Sequence, residues 1–323
     1  MARLAEHLFA ISDEETRFAR RGFRLPPAPV REHLEEIGES FVAGYRLALA
    51  DPRPLPLAGL ERVAPDYRGF AYEGAAMGVV LSDFIAPWRR PWLPAFLNGP
   101  AAPHTYLAHV GIGWAWARLP VRLAPRLARL EPFTRWLAVD GYGFHEGYFH
   151  PRRSVDRQLV PRRVAGYGRR AFDQGLGRSL WFSQGARVEA IATVVATFAE
   201  HRRQDLWSGV GLAATYAGGV SEAELEELRD AAGGYAPSLA QGAAFAAVAR
   251  VAAGHVPPRT DLATEVFCGT SALEADRATR QIQDGLPADH PDEPVYEVWR
   301  QRARRAFTFT GVDPCATTSA ATA

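Results

Sequence analysis

The chain has 323 residues, 47% of them hydrophobic and 23% charged, and a formal net charge of +1. This composition excludes an intrinsically disordered chain, and the near balance of charge excludes a global field that would draw it to nucleic acid or an anionic membrane surface. Two cysteines, Cys268 and Cys315, stand in no metal-ligand spacing and make no disulfide scaffold, which fits a reducing compartment.

In chain order, residues 1–30 read as an N-terminal segment. Its "MARLAEHLFAISDEETRFARRGF" carries early acids and no signal-peptide apolar run, and no stretch of the chain is apolar for long enough to span a bilayer. A cytoplasmic protein without a membrane span is expected. Residues 31–310 are expected to form one helical domain. Residues 311–323, ending in small polar residues, are expected to be a disordered tail.

Within 31–310 a short pattern recurs: an apolar residue, two variable positions, glycine, then a helix-forming run. It reads "FVAGYRLALA" from Phe41, "YEGAAMGVVL" from Tyr72, "FHEGYF" from Phe144, "DQGLGRSLWF" from Asp173, "LAQGAAFAAV" from Leu239 and "FCGTSALEA" from Phe267. The glycines, Gly44, Gly74, Gly147, Gly175, Gly242 and Gly269, are separated by 30, 73, 28, 67 and 27 residues. The alternation pairs them and predicts units of roughly 100 residues, at about 31–135, 136–230 and 231–310. "HVGIGWAWARLP" from His109 and "SGVGLAATYAGG" from Ser208 lie about one such period apart.

Helical spacing supports the same picture. Ile191, Val194, Val195 and Phe198 make one apolar face, and Ser221 with Glu224 is a capping-box pattern. No sustained period-two alternation marks a strand. The predicted fold is all-α, a tandem helical repeat of solenoid or toroid type, forming one compact domain around a concave or enclosed apolar cavity.

Polar residues decorate the repeat. The residue before each motif glycine is Ala43, Glu73, Glu146, Gln174, Gln241 or Cys268. A position that accepts Ala and Cys is at least partly buried. Glu73 and Glu146 would then be desolvated carboxylates suited to acid–base work, or ties that hydrogen-bond neighbouring helices, as the two glutamines suggest. The stretch "DGYGFHEGYFHPRR", Asp140 to Arg153, adds His145 and His150. Five residues is about 140° of helical rotation, so the two histidines share no face, and Pro151 ends a helix near His150. A metal site across two segments, with Glu146 or Asp140 supplying oxygen, is an option, but neither metal nor cofactor is assigned. Arg162, Arg163, Arg169, Arg170 and Arg178 form a basic stretch able to meet an anionic group or to solvate helix faces.

The text "YEGAAMG", "PWRR", "FLNGPAAPHTYLAHVGIGWAWARLP", "LAVDGYGFHEGYFH", "FDQGLGRSLWF" and "DLWSGVGLAATYAGG" resembles the UnbL-type enediyne biosynthesis proteins, a domain-of-unknown-function family, from about Tyr67 to Phe267. The resemblance implies a place beside the iterative polyketide synthase that makes the linear polyene precursor of an enediyne core. It brings no catalytic residues with it. Two functions are expected from it. In one, the protein is an accessory enzyme acting on an apolar polyene, with Glu73, His109, His145, Glu146 and Asp173 lining the cavity and Glu73 or Glu146 as acid or base. In the other, it is a non-catalytic scaffold binding the polyene or the synthase.

Overall fold

The computed structural model describes residues 9–50, 57–291 and 293–307, so the tail at 311–323 lies outside it. Every regular element among the described residues is helical, as expected. No helix there is long and apolar enough to cross a membrane.

Seven long helices make the body: α1 (Ala28–Ala50), α2 (Pro65–Ile85), α3 (Thr105–Arg118), α4 (Arg135–Phe149), α5 (Gly168–Ser183), α6 (Glu200–Ala217) and α7 (Ala236–Ala252). Each packs on the one before and the one after. Their middles are buried nearly all round; Gly69 to Leu81 of α2 is an unbroken buried run. A helix sandwiched between two neighbours has no solvent face, which is why their sequences show little amphipathic periodicity.

Glycine makes the contacts close. A Cβ on Gly44 would fall on the carbonyl of Ala71, and one on Gly74 on the carbonyl of Phe41. From α3 to α6 each helix carries a Gly-x-Gly pair facing both neighbours. In α5, Gly175 abuts the Asp140 carbonyl of α4 and Gly177 the Leu206 carbonyl of α6; in α6, Gly209 abuts Gln174 and Gly211 abuts Leu239. Such approach brings Cα–H groups onto carbonyls and raises dispersion contact, which offsets the roughly 1 kcal/mol that glycine costs a helix relative to alanine.

The neighbours run in the same direction. Gly74 meets Phe41 and Tyr45, and Gly78, one turn on, meets Tyr45, Ala48 and Leu49. Along the α5–α6 seam, Arg170 pairs with Asp205 and Trp181 donates to the Gly218 carbonyl. Parallel neighbours need connections that travel back along the helix. Short return helices provide them: Leu57–Glu61, Leu93–Asn98, Leu123–Leu127, Val188–Thr197 and Glu222–Ala232. The last begins with the expected Ser221–Glu224 capping box, and Ile191, Val195 and Phe198 are buried as expected.

The recurring element is therefore one long helix with its return, not a unit of roughly 100 residues. The crossing glycines Gly111, Gly141, Gly175, Gly209 and Gly242 are 30, 34, 34 and 33 residues apart. Gly269 is not a crossing glycine. It ends α8 (Pro258–Cys268) in the left-handed conformation, with φ of 71°.

The row curls on itself. Tyr106 of α3 meets Phe245 of α7 edge-on at 5.2 Å, and Phe70 of α2 meets Tyr216 of α6 at 5.2 Å. α9 (Ala272–Asp284) and α10 (Val295–Ala306) pack with α8 on α7, and α10 sends Tyr296, Trp299 and Arg300 into the interior. Side chains of α10 pack into the middle, where a concave or enclosed apolar cavity was expected. The apolar slot beside Glu73 holds only about 50 Å³.

Candidate functional site

A line of polar side chains runs through α4 to α7, one residue before the crossing glycine of each: Asp140, Gln174, Ser208 and Gln241. Gln174 donates to Asp140 at 2.8 Å, and Ser208 donates to Gln241 at 2.8 Å. Arg178 donates to Asp140 at 2.5 Å, while Tyr296 and Arg300 of α10 reach Gln174 and Gln241. Close backbones bring these side chains within one hydrogen bond of each other, so the helix-tie reading holds for the two glutamines.

Glu73 occupies the same position in α2 and breaks the pattern. On α3 the residue before the crossing glycine is Val110, which offers no polar group. Glu73 is 1% exposed, and neither carboxyl oxygen makes a well-formed hydrogen bond; the nearest donor is the Trp114 indole N–H, whose pull on the carboxyl is weak. Burial pushes its pKa up to about 8; the Arg178 cation pulls down and the Asp140 charge pushes up, each less strongly. Glu73 thus carries its proton at neutral pH. It borders a slot lined by Phe41, Phe70, Trp114, Phe144, Tyr148 and Phe182.

The other expected residues do not join it in that slot. His109 ties helices: its ring bonds the Thr105 carbonyl at 2.7 Å and the Thr134 hydroxyl at 3.1 Å, and burial lowers its pKa. Asp173 accepts two hydrogen bonds from Arg202, at 2.8 and 2.5 Å, joining α5 to α6.

His145 and Glu146 lie near the end of α4, across Trp114 from the slot; the His145 ring stands edge-on to the indole at 5.6 Å. His150 joins them, and one ligand atom from each of the three residues lies within 4.8 Å of the other two. The 140° of ideal helical rotation does not separate the two histidines here, because α4 ends at Phe149 and His150 does not continue the helix. Burial lowers the His145 pKa. Burial alone would raise the Glu146 carboxyl, but His145, His150 and Arg153 hold it below its usual value.

Glu146 and His150 line an open cleft of about 900 Å³ with Arg21, Arg152, Arg153, Arg162 and Arg163. The expected basic stretch is divided. Arg162 and Arg163 reach this cleft, Arg178 is buried on Asp140, and Arg170 pairs with Asp205 and Glu297.

Sequence reasoning missed Trp114 and its aromatic neighbours, the Arg178–Asp140 pair and the role of His150. The Gly-x-Gly pairs were a readable signal for the first two: Asp140 stands just before one, and Trp114, Phe144 and Arg178 each stand just after one. No curated protein and no solved structure matches the chain. Residues 1–307 match a family described as a protein of unknown function, DUF1702, and the chain belongs to that family.

Proposed function

We propose that this protein acts on an apolar, unsaturated small molecule, with Glu73 as proton donor, as an accessory enzyme in building an enediyne core from a polyketide polyene. The observation that carries the reading is Glu73 itself, a buried carboxyl with a raised pKa and no well-formed hydrogen bond at the edge of an aromatic slot. An unsatisfied buried acid costs about 1–3 kcal/mol, and such groups concentrate where their chemistry is used. Its proton would add to one carbon of a conjugated chain and be recovered by loss from another, a double-bond shift or ring closure without redox change. The faces of Trp114, Phe144 and Tyr148 would stabilise the intervening cation. Resemblance to enediyne proteins supplies the polyene.

Replacing Glu73 with Gln in a strain that makes such a metabolite is expected to stop its production while the variant folds normally. Undiminished production would remove Glu73 from the chemistry. A second reading, a non-catalytic scaffold that binds the synthase, is favoured by the slot's volume of about 50 Å³, well under the ~300 Å³ of small ligand pockets. On the catalytic reading, the turn at Asp13–Thr16, whose Glu15 and Thr16 line the slot, would swing aside to admit the chain.

A further inference from the structure

We propose that His145, Glu146 and His150 bind one divalent transition-metal ion of the zinc or iron(II) class, with its open coordination side facing the arginine-lined cleft. The geometry is nearly set. His145 Nδ1 stands 3.4 Å from Glu146 Oε1. Two ligands held about 2.0–2.1 Å from one ion at tetrahedral angles stand about 3.4 Å apart. That nitrogen is buried, and its long contact to Glu146 is not a well-formed hydrogen bond. Buried ring nitrogens are normally satisfied, and an ion between Nδ1 and the carboxylate would satisfy both.

The third ligand arrives because the helix stops. His150 caps α4 with φ −129° and ψ 48°, and Pro151 comes next. Its ring turns back to 5.9 Å from that of His145, centroid to centroid. One fully buried hydroxyl pins the backbone on both sides of this bend: Ser154 donates to the Glu146 carbonyl at 2.8 Å and to the His150 carbonyl at 3.0 Å. Phe149 and Trp114 pack on the His145 ring, at 4.8 and 5.6 Å, and fix its plane. The site is thus held by packing and backbone before any ion arrives.

Two imidazoles and one carboxylate select a first-row transition ion over calcium or magnesium, which prefer all-oxygen sets. Three protein ligands leave at least one position for an exchangeable group, as in catalytic rather than structural sites. Glu146 and His150 open onto the cleft whose wall carries Arg152, Arg153 and Arg162. Arg163 in that wall is held rigid by the Tyr142 hydroxyl and the Leu119 and Ala117 carbonyls. A cationic wall around an open metal position takes an anionic ligand, a carboxylate or a phosphate. This site is separate from Glu73 and independent of the chemistry proposed there.

The test uses the tag-free full chain, stripped with chelator, dialysed and titrated with cobalt(II). Visible d–d bands saturating at one equivalent and displaced by zinc(II) are expected. Loss of an outer-sphere partner alone weakens metal sites by about 10–100-fold, so His150→Ala is expected to weaken binding at least that much. His150 is exposed, so this change leaves folding intact. Glu146→Gln should weaken binding too, and His201→Ala, at another exposed histidine, should not. Inorganic phosphate added to the cobalt-loaded protein is expected to shift the bands. Absence of saturable binding, or equal binding by His150→Ala, would overturn the site. Bands that phosphate leaves unmoved would overturn the open position.

Discussion

The Arg178 guanidinium donates to Asp140 at 2.5 Å with both side chains out of reach of water, and the same cation is the largest charge acting on Glu73. The pair links α5 to α4 and sits between Gln174 of the polar line and Glu73. Arg178→Met would leave Asp140 a buried charge supported by one hydrogen bond from Gln174 and the more distant Arg300 charge. A loss of about 3–5 kcal/mol is expected in urea denaturation. The double variant Arg178→Met with Asp140→Asn should recover most of it.

Glu73 gives a signed pH dependence. Its carboxyl has an ordinary value of 4.5 when unfolded and about 8 when folded. Between those limits the folded state holds the proton and the unfolded state does not. Stability therefore falls as pH rises through this window, by about 1.4 kcal/mol per pH unit in its middle, and levels off above it. Glu73→Gln removes this slope. Compared at pH 5 and pH 8, the variant should lose less stability than the parent; parallel profiles would contradict a protonated Glu73.

The row glycines should resist even one methyl group. A Cβ at Gly209 would fall on the Gln174 carbonyl, so Gly209→Ala must part α5 from α6. A loss of about 3 kcal/mol or more is expected despite the better helix propensity of alanine. Gly234→Ala, with nothing within 4 Å, should stay within about 0.5 kcal/mol. Equal effects in thermal unfolding would refute a backbone contact at Gly209.

Asp173 separates helix ties from chemistry. Asp173→Asn weakens the two-bond link to Arg202 and should cost about 1–3 kcal/mol. It should leave metabolite production and cobalt titration at parental levels once temperature is chosen to keep the variant folded. Selective loss of production would return Asp173 to the functional residues.

Much of the architecture was legible in the chain. Helix identity, the Ser221 capping box, the apolar face at Ile191, Val195 and Phe198, and the polar residues preceding glycine all come from groups a few positions apart, and local backbone geometry suffices to relate them. The repeat period and the site depend instead on residues some thirty positions away. The true period was hidden because Gly147 and Gly269 match the motif by composition while Gly111, Gly141 and Gly209 make the crossings. Glu73, Gln174 and Gln241 look alike in the chain, each standing before a glycine. Only packing puts Ser208 beside Gln241 and leaves Glu73 without a well-formed hydrogen bond at the edge of an aromatic slot. Within "FHEGYFHPRR", counting residues along an ideal helix separates His145 from His150; the helix end at Phe149 brings them together, because a chain that leaves helical geometry is no longer bound by its rotation.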